Sequence, residues 1–318
     1  MSATQMRAVG ITAFGSPSKL EVMSLPVPEI GPDDVLIRVQ AAGVGPWDCS
    51  IRHGDWGMLP GHSFPLIIGA EGAGVVERTG ANVTRFHEGD EVYYYAPPLG
   101  SYAEYVAVPA AIVASKPATL DFVHAAAVPC SALTAHQVLT EALALAAGET
   151  LYMTAAAGGT GTFAVQIARD LGASVIATAS AHNQAYVHEL GASEVIDYTQ
   201  VDVVEVVRAR HPEGVAAAFD VLGGESLSRS LAMVRDGGRL AYITLPQQIA
   251  ASRHIEVQHV VGQPDAQRLE ALAQLIDAGS LQVYLETVLP LEEAAHAHEL
   301  IDGGHVRGKI VLRVDSNN

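Results

Sequence analysis

Thr150-Leu-Tyr-Met-Thr-Ala-Ala-Ala-Gly-Gly-Thr-Gly-Thr-Phe-Ala-Val-Gln-Ile-Ala-Arg169 is the stretch on which the fold turns. Leu151 to Ala155 form a short apolar run closed by Gly158, Gly159 and Gly161, the pattern of a buried strand running into a turn. Phe163, Ile167 and Leu171 then recur at helical spacing. A helix that begins directly after such a turn aims its unpaired N–H groups and positive dipole end at the glycines, where a pyrophosphate is well placed. The spacing is Ala156-x-Gly158-x-x-Gly161 and not the full G-x-G-x-x-G. Glycine turns also occur wherever a helix packs closely on a strand, so the context has to choose between the two readings.

Further along, Ser174 to Ala179, Glu194 to Tyr198, Ala216 to Leu222 and Arg239 to Thr244 are apolar runs of strand length, with Ile255 to Val261 as a candidate sixth. Helical segments alternate with them, which predicts a parallel, doubly wound sheet binding a dinucleotide across the carboxyl ends of its strands. Gln267 to Ala278 is an amphipathic helix with Leu269, Leu272, Leu275 and Ile276 on one face.

The N-terminal part reads differently. Met6 to Phe14 and Lys19 to Ser24 are strands joined at Gly15-Ser-Pro17, and Val35 to Ala41 alternate as another. The loop Gly43 to Pro46 opens a short helix that Asp48 helps to cap. Short strands punctuated by glycine follow, among them Gly100 to Val108, and suggest a partly closed barrel. Tyr102 projects either into a cleft or into ordinary barrel packing. Asp121 to Leu145 are helical in pattern apart from Pro129. After the amphipathic helix, Val283 to Leu289, Leu291 to Ile301 and Lys309 to Val314 read as strand, helix and strand, the last returning to complete the first domain.

Composition narrows the function classes. The 318 residues suit two domains, and the 49% hydrophobic content fills both cores. The formal net charge of −17, from 35 acids against 18 lysines and arginines, argues against a nucleic-acid surface. An anionic ligand must be met locally, by backbone amides and a few donors. No apolar run reaches membrane-spanning length and Met1 to Arg7 lack a secretory apolar region, so a soluble, cytoplasmic protein is expected. Cys49 and Cys130 frame neither a disulfide scaffold nor a four-cysteine zinc site.

Taken in order, Ala41-Ala-Gly-Val44, Gly69-Ala-Glu-Gly-Ala-Gly-Val-Val76, Gly89-Asp-Glu-Val92, Leu133-Thr-Ala135, Ala155-Ala-Ala-Gly-Gly-Thr-Gly161, Leu190-Gly-Ala192 and Gly308-Lys-Ile-Val311 resemble the medium-chain dehydrogenase/reductase superfamily, in its zinc-independent quinone-oxidoreductase and enoyl-reductase branch. The resemblance runs nearly end to end. It implies an α/β fold, with a GroES-like, partly closed β-barrel catalytic domain over 1–121 and 280–318 and a Rossmann dinucleotide-binding domain over 122–279. It also implies an active site in the cleft between them and a homodimer.

Zinc-dependent relatives need a Cys after the Ala-Gly-Val turn and a Gly-His-Glu in the next motif, because Zn²⁺ takes thiolate and imidazole donors. Gly45 and Ala70 stand there instead, and His53, His62, His254, His259, His296, His298 and His305 read as surface or packing residues, so no metal is expected. Without a Lewis acid the expected chemistry is hydride transfer from a nicotinamide to an acceptor that already delocalises charge, a quinone, enone or enoyl compound. The stretch after the second Rossmann strand, Thr178-Ala-Ser-Ala-His-Asn183, has no acid to meet a ribose 2′-OH. Ser180 and Tyr198 match the family's 2′-phosphate contacts, which together with the missing acid favours NADPH over NADH, while His182 or Asn183 replaces the base that relatives carry in this loop and so counts the other way.

By the same resemblance Ala156, Gly158, Gly159, Thr160 and Gly161 line the phosphate turn, and Thr134 abuts the nicotinamide. Leu222 and Leu245 follow strands along the cofactor, and Lys309 neighbours a phosphate. The main departure is Gly45-Pro-Trp-Asp48, where relatives read Asn-Pro-x-Asp. It widens the pocket, with Gly45 and Trp47 as its walls for a hydrophobic small-molecule acceptor and Tyr102 as the proton donor or substrate anchor. Alternatives are a biosynthetic tailoring enzyme of the same fold acting on a polyketide-like intermediate, and a non-catalytic NADPH-binding protein.

Overall fold

The computed structural model describes residues 4–57, 59, 61–97, 100–249 and 254–314, so Met1 to Ala3 of the N-terminal stretch lie outside the described residues. Two compact units emerge. One holds Met1–Cys130, Pro264–Gly279 and Val283–Asn318, the other Ser131–Gln263 and Ser280–Gln282.

The first unit opens with β1 (Gln5–Ile11) paired antiparallel to β2 (Glu21–Pro26). β3 (Asp34–Val44) follows and runs directly into α1 (Pro46–His53). Next come β4 (Leu66–Ile67), β5 (Glu71–Thr79), β6 (Glu91–Tyr95), β7 (Tyr105–Pro109), β8 (Val113–Ser115) and α2 (Phe122–Ala126). β3 is the hub, antiparallel to both β5 and β7. Its buried Val35, Ile37 and Val39 join Val76, Val92 and Val108 in one apolar core, while its end is built from residues too small to block neighbours. A Cβ on Gly43 would lie 2.6 Å from both the Ala126 carbonyl and the Glu71 carboxylate, so only glycine lets these three elements meet.

Through α3 (Pro129–Gln137) the chain enters the second unit. There β9 (Thr150–Met153), α4 (Gly159–Asp170), β10 (Ser174–Ala179), α5 (Gln184–Glu189), β11 (Glu194–Asp197), α6 (Val203–Arg210), β12 (Val215–Asp220), α7 (Gly224–Met233) and β13 (Val234–Tyr242) alternate strand with helix, and β14 (Glu256–His259) follows as a further strand. The strand order is β11-β10-β9-β12-β13-β14, with every pairing parallel. All carboxyl ends therefore share one edge, and the order reverses between β9 and β12, the switch point at which such sheets bind ligands. β12 is buried along its whole length, as a strand covered on both faces must be. The chain closes with α8 (Ala266–Asp277), β15 (Leu285–Pro290), α9 (Ala294–Gly303) and β16 (Lys309–Arg313), and β16 pairs antiparallel with β3.

Three expectations are corrected. Residues 264–279 belong with the barrel unit and not with the Rossmann unit, as do 122–130. Tyr93 donates to the Leu269 carbonyl, and Asp277 accepts from the Thr119 N–H and hydroxyl at 2.9 and 2.7 Å, which ties α8 to β6 and to the loop after β8. The helix expected over Asp121 to Leu145 is two helices and a wide π-turn, Val138–Ala142. Pro129 starts the second helix, where its missing N–H costs nothing. The strand expected from Gly100 begins only at Tyr105; before it, the Tyr102 N–H and carbonyl bond to Ile68 and Val9. Among the described residues no helix is long and apolar enough to cross a membrane.

Candidate active site

In the Rossmann unit the sequence between β9 and α4 turns tightly, with Ala155 at φ 50°. Gly158 is the extended residue before the helix, so the first N–H groups of α4 have no acceptor within it. Gly158, Gly159 and Thr160 are half-buried at this open end. Gly161 is the steric requirement of the turn, since its Cβ would sit 2.2 Å from the Ala155 carbonyl oxygen. Gly161→Ala is expected to lever α4 off β9, costing about 3 kcal/mol and weakening dinucleotide binding about tenfold or more. At Gly158, where a Cβ would be 3.5 Å from the same oxygen, alanine should leave stability within about 0.5 kcal/mol. Thermal unfolding and cofactor titration of the two variants check this, and equal effects would refute it.

Ser180, His182, Tyr198, Leu222 and Leu245 follow the carboxyl ends of strands of the same sheet. Ser180 follows β10 and precedes a short 3₁₀ turn that carries exposed His182. Tyr198, 49% exposed, follows β11. The acid at that strand end, Asp197, accepts from the Thr199 N–H and hydroxyl at 2.9 and 2.6 Å and is held in its own turn. Leu222 and Leu245, 61% and 44% exposed, follow β12 and β13. Thr134 is buried on α3 against Gly262, whose Cβ would meet its hydroxyl.

Two residues that sequence reasoning passed over shape this edge. Buried Asp220 accepts from the Leu222 and Gly223 N–H groups and from the Ser226 and Ser230 hydroxyls, pinning the loop after β12. Gln247 accepts from the Gly224 N–H at 2.8 Å and donates to the Thr244 hydroxyl at 3.0 Å, tying that loop to the one after β13.

The barrel unit holds a buried polar chain. Asp48 stands on the first turn of α1, where its Oδ2 accepts from the Gly45 N–H at 2.8 Å. The Tyr102 hydroxyl lies 3.4 Å from that oxygen and 3.2 Å from His298 Nε2 on α9. Arg52 Nη1 is 2.9 Å from His298 Nδ1, and Arg52 also donates to Gly15 O and Asp302. Arginine can only donate, so His298 Nδ1 accepts, its Nε2 carries the hydrogen toward Tyr102, and the phenol donates to Asp48. Burial, reinforced by Arg52, pushes the His298 imidazole down to about 3 and keeps it neutral. Burial pushes the Asp48 carboxyl up to about 7, against the opposing pull of the Gly45 N–H and Lys309. Its other oxygen, Oδ1, is buried with no partner among the described residues.

This arrangement corrects the reading of Tyr102. The side chain is 0% exposed, its ring packs edge-on to His298 and against Gly69, and its phenol is held well above its ordinary pKa by burial. It is a positioning residue of the chain, with no open face. The pairs Asp48/Arg52 and His298/Asp302 are each spaced i,i+4, a signal of one polar helix face that could have marked them.

Beside it lies a buried ion pair. Lys309 Nζ donates to Glu71 at 2.6 Å and to the Val44 carbonyl at 3.0 Å, and the other Glu71 oxygen accepts from the Cys130 N–H at 2.7 Å. Burial pushes the Lys309 ammonium down, but Glu71 outweighs it and holds the group above its ordinary range. Lys309, expected beside a phosphate, is thus committed by two donors to the barrel unit. Trp47 is half-buried and tilted against Trp56 with ring centroids 4.6 Å apart, and its indole N–H is buried with no partner among the described residues. Cys49 is buried, Cys130 half-buried, and both are free.

Two family models match the chain: "Alcohol dehydrogenase GroES-like domain" over residues 31–118 and "Zinc-binding dehydrogenase" over 190–312. The chain is 31% identical to a quinone oxidoreductase of Homo sapiens, over 96% of this chain and 97% of that one. It is similar to the structure of an Escherichia coli quinone oxidoreductase complexed with NADPH, with a TM-score of 0.90, 26% identity and coverage of 96% and 99% of the two chains. A structure described as an NAD-dependent alcohol dehydrogenase is similar too, with a TM-score of 0.89, 34% identity and coverage of 98% and 100%. The donors here do not suit the metal in the second model's description. Gly45 and Ala70 carry no ligating group, both Glu71 oxygens are engaged, and no group of three His, Cys, Asp or Glu suited to a metal occurs among the described residues.

Proposed function

Because this chain is an oxidoreductase of the quinone-oxidoreductase branch of the medium-chain dehydrogenase/reductase superfamily, we propose that it transfers hydride from NADPH to a quinone or to the activated C=C bond of an enone or enoyl compound, without zinc. The observation that carries this reading is the Lys309–Glu71 pair beside Gly45, where a Lewis acid would need open donors. Interconversion of a simple alcohol and carbonyl concentrates charge on one oxygen and depends on such an acid. In a quinone or enone, conjugation already spreads that charge, and orientation with a hydrogen bond suffices.

When bound, NADPH supplies the hydride at its nicotinamide. The chain's own part is to hold it. The α4 N-terminus with Ala156, Gly158, Gly159, Thr160 and Gly161 meets the pyrophosphate. Thr134, Leu222 and Leu245 flank the remainder, the two leucines on loops braced by Asp220 and Gln247. Ser180, His182 and Tyr198 would hold the 2′-phosphate, and Asp197 supports this choice because its Oδ1 is engaged by the Thr199 N–H and hydroxyl. The absence of an acid after β10 supports it too.

Fluorescence titration is expected to give NADPH about tenfold or greater preference over NADH, about 1.4 kcal/mol or more. Ser180→Asp should reverse the order by repelling the 2′-phosphate. NADPH oxidation with 1,4-benzoquinone or an enone should survive a chelator. Tighter binding of NADH to the wild type would sink the cofactor assignment, and loss of turnover on chelation would sink the metal-free chemistry.

A further inference from the structure

We propose that Gly45 opens a subsite for one oxygen atom of the acceptor on the Lys309 ammonium, and that this ammonium stabilises the negative charge gathering there as hydride arrives. The inference rests on the hydride-transfer reading above and names the group that meets the acceptor.

An ammonium has three N–H donors. At Lys309 two are taken, by Glu71 and the Val44 carbonyl, and the third has no acceptor among the described residues. The space next to it is open for a reason visible in the backbone. A Cβ built on Gly45 lies 3.5 Å from Lys309 Nζ, and beyond its chain neighbours no other heavy atom of the described residues comes within 4 Å. Gly45 is half-buried, whereas the Lys309 side chain is only 5% exposed, so an atom entering over Gly45 meets a poorly hydrated cation. Such a charge is far more effective than one in water. The titratable groups around it are Glu71, which keeps it cationic, Cys130, and Asp48, whose Oδ2 is tied to the Gly45 N–H. Trp47, two residues on and tilted against Trp56, offers an aromatic surface suited to a flat conjugated ketone.

The step balances as follows. The C–H bond of the reduced nicotinamide breaks and its electron pair forms a C–H bond at the β-carbon of the enone. The C=C pair moves toward the carbonyl, and the oxygen, now an enolate, accepts the third Lys309 N–H hydrogen bond without taking that proton. Water then protonates the enolate to the ketone. A quinone follows the same course to its hydroquinone monoanion and then the hydroquinone.

Gly45 lies at φ −148°, ψ 172°, extended backbone that any residue adopts, so side chains can be added there without strain. Gly45→Asn should fill the subsite, satisfy the third donor and cut kcat/KM for 1,4-benzoquinone about 100-fold, with Gly45→Ala between it and the wild type. The dissociation constant for NADPH should stay within about twofold. Independently of turnover, 4-nitrophenol added to the wild type with NADP⁺ should bind as the phenolate, a mimic of the enolate, with a shifted absorbance that Gly45→Asn abolishes. If neither kcat/KM nor phenolate binding responds to residue 45, the subsite is overturned. If the wild type binds the phenolate in a Gly45-dependent way yet oxidises NADPH with no quinone or enone, the redox reading fails and the subsite stands. A wild type that does neither overturns both.

Discussion

Lys309→Met is expected to lower the stability of the protein by about 3–5 kcal/mol, because it leaves the Glu71 carboxylate buried without its counter-charge. Lys309 and Glu71 are 5% and 3% exposed at their side chains, so water cannot replace the lost partner. The Cys130 N–H would remain as a hydrogen-bond donor to Glu71 but would bring no charge. Adding Glu71→Gln to the variant should recover most of the loss, since the amide oxygen can still accept from the Cys130 N–H and carries no charge to desolvate. Urea unfolding of the two single variants and the double variant forms a cycle, and additive effects would show that the pair does not act as a unit. The same pair crosses from β5 to β16, which in sequence are far apart, so its loss should be felt as loosening of the closing strand on the barrel.

Asp48→Asn is expected to change the pH dependence of stability by about 4 kcal/mol. In the fold the carboxyl keeps its proton to about pH 7, whereas an exposed carboxyl releases it near 3.8. Between these values the folded state binds more protons than the unfolded one. Stability from this group is therefore fully present below the unfolded pKa and is lost as pH rises through the folded pKa. Asparagine keeps an oxygen for the Gly45 N–H and the Tyr102 hydroxyl and removes the titration. Relative to the wild type, the variant should gain stability steadily from about pH 4 to about pH 8, as followed by urea unfolding at several pH values. A difference between the two proteins that does not vary with pH would show that Asp48 ionises normally in the fold. His298 works in the opposite sense: its neutral form is held by burial and Arg52, so its contribution is present above pH 6.5 and is lost as pH falls toward about 3.

The Rossmann half was legible because parallel strands covered on both faces must be short apolar runs, and Leu151, Val175, Ala217 and Leu240 all sit in such runs. The turn at Gly158 to Gly161 was legible for a steric reason: a Cβ at Gly161 collides with the strand it leaves. That positions 45 and 70 offer no zinc ligand could be read from residue type alone. Less could be read of the polar chain. His298 looks like its neighbour His296 in sequence, yet one is fully buried between Arg52 and Tyr102 and the other is exposed on the same helix. Tyr102 offered two environments, and only the packing of Gly69 and His298 around its ring chose the enclosed one.

By itself the sequence determined the alternation of strands and helices from β9 to β13, where the glycine turn between β9 and α4 lies, and that no acid follows β10. These are properties of local pattern and residue type, so neighbours in the chain suffice to define them. Tertiary structure alone decided which core α8 completes, because an apolar helix face specifies burial but not the surface that buries it. It alone brought Glu71 to Lys309 and Asp48 to Tyr102, pairs separated by 238 and 54 residues. The charge state of such groups depends on desolvation and on partners met only in space, and no spacing rule in the chain encodes either.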